Sequence, residues 1–491
     1  MNERLDEIIL KDCVSAPTEL CFWWRGTWWS RSALEEMAAE CAAILERSGF
    51  TVGQRLGLVM PNCPLMLASC IAAWQLGGTV VPVNPQLKHP SVPEYLKSVG
   101  VFGAVVSREM GNMAAYIGDS GIAAVSADPG DSIPQMTGHA GEPDAGAQLA
   151  ALIHTRGVGG TAKAVPITHG NIVALLESIL EAIPSLDEDD VILNAIPNYI
   201  SLGFVVGGIL PLAAGIPQVL VPSFTPPKNA LSAIREAGVT VIPAVPVMLS
   251  ILLGGEKHIA PVPKIKLVFY GGGTLMQGVA ERVREVFGVT PLSGYGLTEA
   301  SSVLAVTPSE DAAREGTSGK ILSCFEAKVV DASGELSQFN EEGRLWIRGG
   351  AVASGYYRTP DLSSERFRDD WFDTQDIVRI DEDGYITIVS PVFDVITVEG
   401  MSVYSGEIEA ILKLHPEIKE AAVVGVPRGR KGEYARAYVT LKEGSELKPR
   451  DILAYGRTQM PNYKAPRSVK ILDELPTDNM GKVLKHELRN L

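Results

Sequence analysis

Three glycines and a lysine fall close together in His154-Thr155-Arg156-Gly157-Val158-Gly159-Gly160-Thr161-Ala162-Lys163. Glycines between a strand over Leu149–Ile153 and a helix from about Asn171 let backbone N–H groups come close to an anion. Lys163 then adds a point charge of the kind a polyphosphate needs. The order is neither that of the Walker phosphate loop nor that of the dinucleotide fingerprint. On its own the run is also compatible with a plain surface loop. Three later runs carry hydroxyl, carboxylate and amine groups, the first and last of them beside glycines: Gly294-Tyr295-Gly296-Leu297-Thr298-Glu299-Ala300, Phe372-Asp373-Thr374-Gln375-Asp376, and Leu475-Pro476-Thr477-Asp478-Asn479-Met480-Gly481-Lys482.

The elements that must hold these groups can be read from apolar periodicity. Leu34, Met37, Ala38, Cys41, Ile44 and Leu45 recur at helical spacing and predict a helix over 34–48. A buried strand over Leu56–Met60, a helix over 63–76 and a strand over 79–83 follow. The alternation continues through strand 102–106, a helix over 170–183 and strands near 192–196 and 218–221. Helices of about a dozen residues between short apolar strands imply right-handed βαβ units and parallel sheets covered on both faces. From about 320, short strands at 327–331, 343–347 and 384–389 are separated by Asp/Gly turns and predict an antiparallel barrel or sheet. A compact charged unit starts near 394. The fold class expected is α/β: a large N-terminal domain of doubly wound sheets with a small β-barrel-like part, then a small α+β C-terminal domain.

Composition narrows the function classes. The chain has 491 residues, enough for two or three cores. Forty-three basic against 58 acidic residues give a net charge of −15. That argues against a nucleic-acid backbone as partner, which demands a basic face. Six cysteines form no CxxC pair, and reduced, mostly buried thiols are expected. No charged residue occurs from Val191 to Pro227, yet Pro211, Pro217 and Gly207-Gly208 interrupt any spanning helix, so a buried strand–helix–strand is expected there. The acidic start, Met1-Asn2-Glu3-Arg4-Leu5-Asp6-Glu7, does not read as a secretory signal, and the location expected is cytoplasmic.

The run 154–171 resembles the signature loop of the adenylate-forming superfamily, which includes acyl-CoA synthetases, peptide-synthetase adenylation domains and luciferases. Thr155, Gly157, Gly160, Lys163, Val165, Thr168, His169 and Asn171 keep the family pattern; Arg156, Val158, Gly159, Ala162 and Ala164 depart from it. Further matches come in the family's order along nearly the whole chain. The resemblance implies that Gly271, Gly272, Gly273, Thr274 and Leu275 lie along adenine and the acyl group. It implies that Tyr295 and Gly296 pack on adenine, that Thr298 touches the α-phosphate and that Glu299 helps hold Mg²⁺. Asp376 would take the ribose hydroxyls, since a carboxylate can accept from two adjacent donors. Lys482 would neutralise the charge passing between carboxylate and α-phosphate. Gly400 and the helix start Gly406-Glu407-Ile408-Glu409 fit the segment that lines the thiol tunnel. The expected hinge sits near Phe393, dividing a domain 1–392 from a mobile domain 393–491; Pro391 stands where the family has arginine.

The acyl pocket implied by the resemblance is walled by Tyr199, Ile200, Ser201, Gly203 and Val245. Pro197–Phe204 carries no acid, so an amino acid's ammonium would be left unpaired in an apolar pocket. The reading is therefore ATP-dependent activation of a small carboxylic acid lacking a free α-amine, with transfer to a thiol. CoA is the acceptor favoured, on Tyr463-Lys464 and the absence of a carrier domain. Two alternatives stand beside it: a stand-alone ligase loading an acyl carrier protein, and a degenerate binder of nucleotide or acyl ligand. The cofactors expected are ATP, Mg²⁺ and CoA. Neither nucleic acid nor a membrane span is expected, and a homodimer is left open.

Overall fold

The computed structural model describes residues 4–490 apart from 86, 88–90, 129, 138–142, 145–147, 157–161, 255–261, 263, 274, 276, 315, 332, 391–394, 399–400, 429–431, 477–482 and 484. Two compact units make up the chain: Met1–Thr155 with Ala164–Ser390, and Pro391–Leu491 with Arg156–Lys163.

The first unit is built on three sheets. A nine-stranded sheet has the order Lys320–Ile321, Ala305–Val306, Leu292–Tyr295, Leu267–Tyr270, Val241–Ala244, Ile192–Asn194, Gln218–Leu220, Leu20–Trp24, Thr27–Ser30. Its central strands are parallel and only its ends are antiparallel. A six-stranded sheet has the order Ala124–Ala127, Gly103–Ser107, Arg55–Val59, Thr79–Pro82, Leu149–Arg156, Ala162–Thr168. The central strands are buried along their whole length, and apart from Arg55 and Ser107 at their ends they are apolar, as strands covered on both faces are. Helix Pro64–Gln75 is buried along almost its whole length, while Arg31–Arg47 buries one stripe and begins with Ser30 Oγ accepting from Ala33 N. The third sheet is open and antiparallel, joining Phe325–Val330, Gly343–Gly349 and Trp371–Ile380, with Phe367–Arg368 and Ile386–Ser390 paired to the last.

The charge-free stretch after Val191 folds as strand Ile192–Asn194, a helical segment and strand Gln218–Leu220, all buried. Among the described residues no helix is long and apolar enough to cross a membrane. All six cysteines are free, five of them buried and Cys324 partly so.

One expectation needs correction. The glycine run does not lead from a strand into a helix: strand Ala162–Thr168 intervenes, next in the sheet to Leu149–Arg156. Helix His169–Ala182 starts only after it, with Thr168 and Asn171 forming a reciprocal capping box. The β-branched pair Ile167-Thr168 and Val165 extend the sheet, so that helix's N-terminus is spaced away from the glycines.

In the second unit, hairpin Val395–Val398/Met401–Tyr404 accompanies a three-stranded sheet of Ile418–Pro427, Glu433–Leu441 and Ser468–Ile471. Helix Ser405–Lys413 is held by two lysines: Lys464 Nζ lies 2.7 Å from Glu407, and Lys485 Nζ 2.7 Å from Glu409.

Candidate active site

Strand Leu292–Tyr295 ends in a tight turn that places the hydroxyl, carboxylate and phenol side chains of residues 295–299. The turn is possible because of its glycines. A Cβ on Gly296 would sit 1.9 Å from Ser302 O, and one on Gly294 would sit 2.7 Å from the Phe269 ring. The chain reverses through a 3₁₀ turn at Thr298–Ala300, and Ser301 closes it at φ 58°.

From this turn, contacts run outward in four directions. Thr298 Oγ1 and Ser201 Oγ lie 3.2 Å apart. Tyr356 donates its phenol O–H to Glu299 Oε1 at 2.8 Å, with both residues buried. The Tyr295 hydroxyl donates to Asp376. Gly271 abuts the same turn, since a Cβ there would stand 3.4 Å from Gly294 O and 3.8 Å from a Leu202 methyl. Gly272 and Gly273 continue past Val245 and Pro246, 3.8 and 3.7 Å from their built Cβ positions. Leu202, Val245, Tyr270 and Leu275 pack partly buried against one apolar cluster. The structure thus brings Ser201, Gly271, Tyr295, Gly296, Thr298, Glu299 and Asp376 together at this turn, with Gly272 and Gly273 continuing beside Val245 and Pro246, and Leu275 on the same apolar cluster as Val245.

Asp376 reaches Tyr295 through a bulge. Strand Trp371–Ile380 loses register against Gly343–Gly349 between Asp373 and Ile377, and Gln375 takes φ 64°. Arg366 clamps the bulge with two bonds to Asp373 O, at 2.8 and 2.6 Å. Thr374 Oγ1 donates to Leu345 O at 2.9 Å and accepts from Asp376 N at 3.1 Å. Burial, then the Asp376 charge, pushes the Tyr295 phenol well above its usual range, so it stays a donor. Burial raises the Tyr356 phenol in the same way, with Glu299 adding to it.

Two adjacent tyrosines make contacts of different kinds. Tyr356 holds Glu299, and Tyr357 N donates to Ala164 O at 2.8 Å, next to Lys163. Thr155 is half-buried near the end of its strand, and Lys163 is buried. Tyr199 is half-buried and Ile200 is 36% exposed, on the turn before Ser201. Gly157, Gly160, Thr274, Phe393, Gly400 and Lys482 lie outside the described residues.

Sequence reasoning did not single out Tyr356 or Arg366, and it quoted Thr374 only within the run 372–376, without a role. The signal for Tyr356 was the pair Tyr356-Tyr357 after Gly355; for Thr374 and Arg366 nothing local distinguishes a clamp from an ordinary strand end. A further omission is a buried set of amides behind Pro197–Gly203: Asn62, Asn194, Asn198 and Gln218 are each 0–2% exposed.

The family described as AMP-binding enzyme matches residues 11–357, and the AMP-binding enzyme C-terminal domain matches 407–482. A feruloyl-CoA synthase of Amycolatopsis is 29% identical over 473 residues, covering 94% of either chain. A long-chain-fatty-acid–CoA ligase of Escherichia coli O157:H7 is 28% identical over 502 residues, covering 93% of this chain and 89% of its own. In fold, an o-succinylbenzoate CoA synthetase of Bacillus subtilis superposes with a TM-score of 0.83 at 22% identity, covering 99% of this chain and 98% of that one. With more than half its length matched by the family and the site's turns in place, the chain belongs to the AMP-binding enzymes and is an acyl-CoA synthetase-like ligase.

Proposed function

We propose that this protein activates a carboxylic acid lacking a free α-amine with ATP and passes the acyl group to CoA. The observation that carries this reading is the single turn joining Ser201, Thr298, Glu299, Tyr295 and Asp376. In the first step a carboxylate oxygen attacks the α-phosphorus and pyrophosphate leaves, giving an acyl-adenylate. In the second, the CoA sulfur bonds to the activated carbonyl, its proton is lost and AMP departs. Splitting the reaction exchanges a poor leaving group for a good one.

Each residue has a role set by its chemistry. Thr298 donates to the α-phosphate, with Ser201 Oγ fixing its rotamer. Asp376 accepts from ribose hydroxyls while also orienting Tyr295, whose ring faces the base. Glu299 is one buried carboxylate among hydroxyls, a donor set that suits Mg²⁺ completing its shell with phosphate oxygens and water. When bound, the ion neutralises phosphate charge. The glycine run from Gly157 to Gly160, with Thr155 and Lys163, is assigned to binding the leaving pyrophosphate. Lys482 supplies positive charge to the first step. The domains divide at 392/393, and movement about Phe393 exchanges Lys482 for the Gly400 segment between steps. The protein works in the cytoplasm.

Tyr199, Ile200, Gly203, Val245, Thr274 and Leu275 are the residues assigned to the acid pocket. It is apolar and has no carboxylate to pair an α-ammonium. ATP–pyrophosphate exchange over a panel of aryl, short and long aliphatic acids tests the first step. Exchange with at least one acid is expected, followed by acyl-CoA formation when CoA is added. Nucleotide binding without exchange on any acid overturns the reading, and transfer only to a carrier protein's phosphopantetheine overturns the acceptor.

A further inference from the structure

Behind the segment Pro197–Gly203, the helix is opened. Residues Gly203–Ile209 form a π-helix, a wide turn that is rare in proteins and concentrates at functional sites. Its inner face is bare. A Cβ on Gly203 would lie 2.2 Å from Pro197 O, one on Gly207 3.1 Å from Asn194 Oδ1, and one on Gly208 3.1 Å from Asn198 Nδ2. Those glycines admit a closed set of buried side-chain amides.

The set has a fixed wiring. Asn62 Nδ2 donates to Asn194 Oδ1 and to Ile196 O, each at 2.8 Å, and Asn62 Oδ1 accepts from Asn198 N at 2.8 Å. Asn194 Nδ2 donates to Gln218 Oε1 at 2.8 Å. Asn198 Nδ2 donates to Gly203 O at 2.5 Å, and Gln218 Nε2 to Gly208 O at 3.2 Å. The last two bonds take up carbonyls of the π-helix itself. Asn62 follows a strand of the six-stranded sheet, while Asn194 and Gln218 lie on adjacent strands of the nine-stranded one. The segment Ile196–Gly203 is therefore pinned to both sheets from behind, while Ser201 and Leu202 present to Thr298 and Gly271 in front.

We infer that Asn62, Asn194, Asn198 and Gln218 are positioning residues that set the acid specificity of the enzyme by fixing the wall of its acyl pocket. A fully satisfied buried network selects one backbone geometry, because any shift strands a polar group in a dry interior. The wall then discriminates among acids by shape, with no contact between the amides and the substrate. The inference rests on the proposed reading of Tyr199–Gly203 as pocket wall.

Steady-state exchange kinetics with Asn198→Ala and the milder, near-isosteric Gln218→Met test it. Both are expected to raise the KM for the preferred acid about tenfold or more and to flatten the ranking among acids of different size. The KM for ATP should stay within about twofold. Ser178→Ala, which removes a partly buried hydrogen bond from Cys324 N elsewhere in the same unit, is expected to lower Tm without changing acid ranking. Equal changes in the KM for acid and for ATP, or an unchanged ranking in both amide variants, overturn the inference. Ile200→Ala separates the two readings: if it shifts acid ranking while the amide variants do not, the network alone fails. If Ile200→Ala shifts nothing either, the pocket-wall assignment fails and the inference with it.

Discussion

The Tyr356 hydroxyl lies 2.8 Å from Glu299 Oε1, a buried phenol donating to a buried carboxylate 57 positions earlier in the chain. A hydrogen bond to a charged acceptor contributes about 1.5–3 kcal/mol, so Tyr356→Phe removes a substantial part of what orients Glu299. The variant is expected to lose roughly tenfold or more in pyrophosphate exchange. Its Mg²⁺ titration should shift to higher concentration, with thermal stability changed by only a few degrees. An unaltered Mg²⁺ titration would assign Tyr356 to packing alone.

Tyr295 gives a spectroscopic prediction. Its phenol is held neutral by burial and by the Asp376 charge, well above the ordinary value of 10.0. Because the folded pKa is raised, its stabilising contribution is complete below about pH 10 and is lost as pH rises beyond it. Ultraviolet titration of wild type and Tyr295→Phe should show no difference in tyrosinate absorbance from pH 9 to 11. A missing ionisation in the variant over that range contradicts the burial argument.

His169 produces an acid limb. Its Nδ1 accepts from Leu5 N at 3.2 Å, and burial, then the nearby Arg4 charge, lowers its pKa from 6.5 to about 3. A depressed pKa means full stabilisation above pH 6.5 and progressive loss as pH falls toward 3. The slope is at most roughly 1.4 kcal/mol per pH unit for this one proton. His169→Asn is expected to be less stable at pH 7.5 but to show a flatter urea-midpoint profile between pH 6.5 and 4. Parallel profiles would remove the histidine from the acid transition.

Gly296 is predicted to tolerate no side chain. A Cβ at 1.9 Å from Ser302 O forces the turn apart, and Gly296→Ala should destabilise by several kcal/mol, as overpacking against backbone does. Nucleotide affinity measured by calorimetry should fall in step, since Tyr295 and Thr298 flank the residue. Normal affinity and Tm would show that the turn can open at little cost.

Lys464 is predicted to act through structure. Its amine is buried 2.7 Å from Glu407, and removing one partner of a buried pair costs about 3–5 kcal/mol. Lys464→Met should lower Tm markedly, while the KM for CoA of the folded enzyme changes little. A large rise in the KM for CoA with an unchanged Tm would instead make the amine a CoA contact.

The sequence by itself determined the alternation of apolar strands and helices, the change to short antiparallel strands after 320, and the turn at Gly294–Glu299. These are local: periodicity and glycine spacing act within about a dozen residues. It also carried the absence of an acid in Pro197–Phe204, which is a matter of residue identity alone. Only the tertiary structure decided that Tyr356 meets Glu299 across 57 positions and that Tyr295 meets Asp376 across 81. The same holds for the amides at 62, 194, 198 and 218, which look like ordinary loop and strand residues until two sheets bring them together. The strand at Ala162–Thr168 was misread for a related reason. Its β-branched Val165, Ile167 and Thr168 are interrupted by Pro166 and preceded by a lysine, and it is pairing beside Leu149–Arg156 that makes them a strand. Contacts between distant segments are fixed by sheet order and by which buried polar groups can satisfy each other, and neither quantity has a period along the chain.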